Sequence, residues 1–86
     1  MVLYQVVITK KAERQFHDIP QHLQSAVDKK IRTLREDPRP HGCRKLRGIS
    51  DHYRVRQGDY RIIYQVDDEI RVVAVIKIGD RKDVYV

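Results

Sequence analysis

The sequence predicts an α+β fold: an N-terminal strand, then an antiparallel helical hairpin packed on a mostly antiparallel twisted sheet. Three observations predict it. Apolar residues recur at helical spacing as far as residue 36, a Pro/Gly hinge follows, and beyond the hinge the apolar period falls to two. Helix and strand segregated in this way place the helices on one face of the sheet, and no internal repeat or low-complexity segment competes with that arrangement.

Residues 1–8 are apolar and β-prone and read as a strand; they lack the basic start and small-residue cleavage site of a signal peptide. Thr9 is placed to cap a first helix whose apolar face is Ala12, Phe16 and Ile19, and Pro20 marks the corner. Leu23, Ala26, Val27, Ile31 and Leu34 form the amphipathic stripe of a second helix, with Lys29, Lys30, Arg32 and Arg35 mostly outside it. Asp37-Pro38-Arg39-Pro40-His41-Gly42 ends that helix, because each proline disfavours helical geometry in the residue before it. Tyr53 and Val55 then alternate with His52, Arg54 and Arg56. A turn at Gly58-Asp59, a strand from Tyr60 to Val66, a turn at Asp67-Asp68-Glu69 and a strand from Ile70 to Ile76 complete a meander.

The chain has 86 residues, so 1–86 is read as a single domain. At this size a domain buries only about 60–70% of its unfolded surface and gains from a partner. No apolar run approaches the roughly 20 residues of a membrane span. The one cysteine, Cys43, has no disulfide partner within the chain, which suits a reducing, cytoplasmic setting. The four histidines show no metal-ligand spacing, the glycines are isolated, and no Ser-His-Asp context occurs, so neither metal nor cofactor is expected.

The formal charge of +6 is unevenly placed: between Arg44 and Arg61 lie six basic residues against two acidic ones. With Gly58-Asp59 as a two-residue hairpin loop, Gln57 pairs with Tyr60 and Arg56 lies opposite Arg61 on one face, Arg54 two positions along. Like charges directly opposite in a sheet repel. Two readings are open: a site for a polyanion, or an ordinary solvated face. Tyr53, Tyr60 and Tyr64 interleave with these arginines, which suits either base stacking or, by alternation, a core position; Tyr85, near Arg81 and Lys82 at the chain end, has less core to join.

The most specific segments are Lys45-Leu46-Arg47-Gly48, Tyr53-Arg54-Val55-Arg56, Gly58-Asp59-Tyr60-Arg61-Ile62-Ile63-Tyr64, and Ile78-Gly79-Asp80-Arg81 followed by Val84-Tyr85. Together with the strand–hairpin order they resemble the RelE/ParE superfamily of toxins, specifically its RelE branch, across essentially the whole chain. The resemblance implies a RelE-like microbial ribonuclease fold. It also implies a small toxin of a toxin-antitoxin pair that cuts mRNA in the ribosomal A site, using the RNA's own 2′-OH as nucleophile and no cofactor. By the same resemblance Arg61 and Arg81 serve the scissile phosphate, the second near the leaving 5′-oxygen, and Tyr85 stacks on or orients the nucleotide. Arg54 and Arg56 stand where studied members carry lysines, the second of them thought to act as general base. Arg44, Lys45, Arg47, Lys77 and Lys82 are the further RNA-binding candidates.

Arginine keeps its proton to a pKa above about 12, so Arg56 is a poor base; Tyr85, His52, or orientation and charge alone are the alternatives. Asp80 departs from the basic residue or His often found there. The expected partners are a cognate antitoxin, in a hetero-oligomer, and mRNA on the ribosome, with no membrane. Two other functions fit the same scaffold: a ParE-like gyrase poison that acts by binding, and a non-catalytic RNA-binding module.

Overall fold

A computed structural model of the chain describes residues 3–80. Its elements are β1 (Gln5–Ile8), α1 (Lys10–His17), α2 (Gln21–Thr33), β2 (Arg44–Lys45), β3 (His52–Gln57), β4 (Tyr60–Asp67) and β5 (Val72–Asp80). The strands form one sheet in the order β1-β5-β4-β3-β2. β1 runs parallel to β5 and every other pairing is antiparallel. Because β1 and β2 occupy opposite edges, the chain between them must traverse the sheet, and it does so with both helices on one face.

Local chemistry sets each boundary. The hydroxyl of Thr9 accepts from the Ala12 amide at 3.2 Å, capping α1 as the sequence suggests, and donates to the Ile76 carbonyl at 3.2 Å. At the corner, Gln24 Nε2 donates to the Ile19 carbonyl at 2.9 Å and to the His17 carbonyl, an acceptor that the end of α1 leaves open, at 3.4 Å. The Gln15 side chain accepts from the Ile78 amide at 2.8 Å and so ties α1 to β5.

Two sequence expectations shift. The stripe of α2 is buried only from Val27 onward, at Val27, Ile31 and Leu34; Leu23 and Ala26 are exposed, because the first turns of the helix meet no sheet surface. β5 begins at Val72 rather than Ile70. The Asp67 carboxylate accepts from the Glu69 and Ile70 amides at 3.0 and 3.2 Å, and Arg71 adopts φ 55°, so the turn consumes both residues and leaves Ile70 68% exposed.

Alternation decides the rest. Tyr53, Val55, Ile62, Tyr64, Val66, Val73, Val75 and Ile78 point toward the helices and close a core with Ala12, Ile19, Val27, Ile31 and Leu34. Of the interleaved tyrosines, Tyr53 and Tyr64 are core and face each other in register, their rings stacked at 5.9 Å; Tyr60 is half-buried. The Tyr64 hydroxyl donates to the Pro38 carbonyl at 2.7 Å, and burial pushes its pKa above the usual phenol range. β5 carries a bulge: Ile63 pairs with Lys77 and Tyr64 with Val75, so Ile76 is the extra residue.

Above Tyr53 a polar latch joins three distant segments. Arg39 donates through Nε to the Tyr53 hydroxyl at 2.9 Å and through both Nη atoms to the Asp68 carboxylate at 3.2 and 2.7 Å, and the Tyr4 hydroxyl donates to Asp68 at 2.7 Å. The Arg39 and Tyr4 bonds hold the Asp68 carboxyl below its usual range. A depressed carboxyl stabilises the fold above its unfolded pKa of about 3.9, and the effect is lost as pH falls through the lower folded value. Urea unfolding should therefore show Asp68→Asn less stable than the parent at pH 7, with the gap closing below about pH 4; a gap independent of pH would exclude the carboxylate as its source.

Candidate nucleic-acid interface

The face opposite the helices owes its composition to the same alternation. With Tyr53 and Val55 turned inward, Arg54 and Arg56 turn outward; with Ile62 and Tyr64 inward, Arg61 and Ile63 turn outward. The hairpin closes through the two-residue loop Gly58-Asp59, where Gly58 takes φ 61°, the conformation a primed turn needs at that position. The loop sets the pairing: Gln57 meets Tyr60 and Arg56 meets Arg61.

Two cross-strand rows result. In one, Arg44 of β2 pairs with Arg54 of β3, which pairs with Ile63 of β4, which pairs with Lys77 of β5. In the next, Arg56 pairs with Arg61, which pairs with Gly79. The sequence pointed to Arg56/Arg61; Arg44/Arg54 is a second like-charge pair that becomes visible only once the two-residue strand β2 is placed. Arg61 is 6% exposed, Arg54 is half-buried and Arg56 is exposed.

Beside these rows lies a groove of about 860 Å³. Arg44, Lys45, Arg47, Arg54 and Lys77 rim it together with His52; Leu46, Ile49 and Ile76 provide apolar surface, with Ile63, 5% exposed, packed at the bottom. The bulge accounts for the pairing of wall and floor, since it puts the successive residues Ile76 and Lys77 on the same groove. Asp28 and Asp68 are engaged by Arg32 and Arg39. Of the sequence-predicted site residues, Arg44, Lys45, Arg47, Arg54 and Lys77 meet at the groove, and Arg56 and Arg61 occupy the adjoining row. Arg81, Lys82 and Tyr85 lie outside the described residues. Sequence reasoning missed the apolar floor, because Ile63 and Ile76 read as core within strongly apolar strands.

Among the described residues, no group of His, Cys, Asp and Glu is arranged to hold a metal ion, and no helix is long and apolar enough to cross a membrane. Convergent guanidinium and ammonium groups over an apolar floor make an anion-binding surface suited to a polyphosphate chain carrying flat rings.

Known proteins similar to this chain point to a family. Residues 6–85 match the ParE toxin of the type II toxin-antitoxin system, parDE. Toxin RelG of Mycobacterium tuberculosis is 30% identical over 83 residues, covering 95% of this chain and 95% of that protein. The mRNA interferase toxin RelE of Escherichia coli K12 is 35% identical over 80 residues, covering 88% and 83%. Among solved structures, the M. tuberculosis RelBE2 toxin-antitoxin complex superposes with a TM-score of 0.81 at 29% identity, covering 93% of this chain and 100% of that one. The intact E. coli RelBE toxin-antitoxin complex gives 0.78 at 32%, covering 90% and 95%. Fold and relatives thus define a toxin of the type II class. Within that class, the chain belongs to the RelE/ParE superfamily, on its RelE branch.

If the groove takes a phosphate chain, each cation lost should weaken binding of every sequence alike and flatten its salt dependence. For a labelled single-stranded RNA, Lys77→Ala should reduce the log–log salt slope by about 0.7. An unchanged slope in fluorescence anisotropy would remove Lys77 from the interface.

Proposed function

We propose that this chain is a ribosome-dependent endoribonuclease that inhibits translation in the cytoplasm by cutting mRNA in the ribosomal A site. The RNA's own 2′-OH attacks the adjacent phosphate, so the protein's task is positioning and charge stabilisation. The observation that carries this reading is the Arg56/Arg61 pair, flanked by the Arg44/Arg54 pair on the same open face. In-line attack builds negative charge on a pentacoordinate phosphorane. Fixed cations already held together bind that state more tightly than the ground state. Arg61, sequestered in the central strand, is the least mobile of these charges. By family resemblance Arg81 assists the leaving 5′-oxygen and Tyr85 orients the nucleotide. The naming of a 35%-identical relative as an mRNA interferase supports the same activity.

The solved relatives in complex with antitoxins support a cognate antitoxin as partner. An acidic, amphipathic segment would both bury apolar surface and relieve the cationic face, stabilising the native state by mass action.

Cell-free translation with mapping of mRNA ends tests the activity. Wild type should produce A-site ends, and Arg61→Ala should cut more slowly by about 10²–10³-fold. Because Arg61 is buried, the exposed Arg56→Ala provides a second variant free of folding effects. Absence of A-site cuts, or unimpaired cutting by both variants, would overturn the reading. The match to ParE toxins favours one competitor, a gyrase poison: trapped cleaved DNA complexes with intact mRNA would establish it instead. Co-expression with the adjacent open reading frame should raise the thermal midpoint; an unchanged midpoint would count against the antitoxin.

A further inference from the structure

The phosphate reading uses the cations of the groove and leaves His52 without a role. This residue stands on the same face of β3 as Arg54 and Arg56, half-buried, with Nδ1 2.7 Å from the Ser50 carbonyl oxygen. A carbonyl can only accept, so Nδ1 carries the hydrogen, and in the neutral ring Nε2 is left as an acceptor. The His52 carbonyl in turn accepts from the Leu46 amide at 2.9 Å, so the residue is tied to its loop at both backbone and ring.

Its neighbours differ in kind. Arg44 and Lys45 of β2, Arg47 of the loop, Arg54 of β3 and Lys77 of β5 are donors only, while β4 places Gln65 opposite. Lysine and arginine on phosphates fix position without reading sequence; an acceptor held over an apolar floor can read a base edge. Spacing also separates His52 from the reacting row: it lies four residues from Arg56, about 13 Å along the strand. The two side chains therefore address different nucleotides of an extended RNA, which argues against His52 as the general base.

We infer that this end of the groove is a base-reading subsite for single-stranded RNA, in which a base rests on the half-buried Ile76, with Ile63 packed beneath, and His52 Nε2 accepts a hydrogen bond from an amino group on its edge. Cytosine offers such a donor at the position where uracil offers an acceptor, so the subsite favours cytosine over uracil. The inference rests on this face being the RNA face, and it does not require that the RNA be cut.

Anisotropy with labelled hexaribonucleotides carrying C or U at each position in turn provides the test. The full-length wild type should prefer C at one position by about five-fold. His52→Ala should abolish that preference, and so should His52→Phe, which keeps a ring and removes the acceptor. Arg44→Ala should weaken both RNAs equally. Indifference of the wild type at every position, or a preference that survives in folded His52→Phe, would overturn the inference. Failure of the cleavage reading would appear separately, as intact mRNA in the translation assay.

Discussion

The pairing register of β3 with β4 is the constraint on which the fold and the candidate site both depend. It sets Tyr53 against Tyr64 and Val55 against Ile62 beneath the helices, and so leaves Arg54, Arg56 and Arg61 on the far side. A slip of one residue would exchange the faces and drive the arginines into the core. For the exposed Arg56, burial without a counter-charge would cost several kcal/mol, whereas a like-charge pair across a sheet costs about 0.2–1 kcal/mol. The larger penalty decides, and the repulsion on the open face is tolerated.

Polar groups on the two sides of the sheet are handled differently. At the Tyr53 end of the core, Arg39 is matched by Asp68 and the Tyr53 hydroxyl, with Tyr4 completing the set, so cation and carboxylate are both engaged. On the other side, arginine stands opposite arginine in the strand register. A sheet under selection for stability alone would place threonine or opposite charges at such positions. These like-charge pairs and the groove lie on the same side of the sheet.

Much of this was legible in the sequence because the signals were local. The Gly58-Asp59 loop fixes the hairpin register within its own residues, Thr9 announces its helix, and the Pro38/Pro40 segment ends the second one. The remainder depends on partners distant in sequence. Leu23 carries the right period and has nothing to bury against; Ile70 reads as strand, but the Asp67 carboxylate holds its amide in the turn. The burial of Arg61 and the apolar groove floor arise from how strands and loop stack across the sheet. No single stretch of chain contains that information.

The bulge at Ile76 has an implication for how such a surface tolerates insertion and deletion. Val75 faces the core, Ile76 and Lys77 both line the groove, and Ile78 faces the core again. Removing Ile76 would restore regular alternation while leaving every remaining β5 side chain on its present face. The extra residue adds one side chain to the groove floor, and its backbone carbonyl accepts from the Thr9 hydroxyl that caps α1. The surface offered to a ligand is thereby set by one residue of strand length, while the apolar layer beneath it is set by the residues on either side.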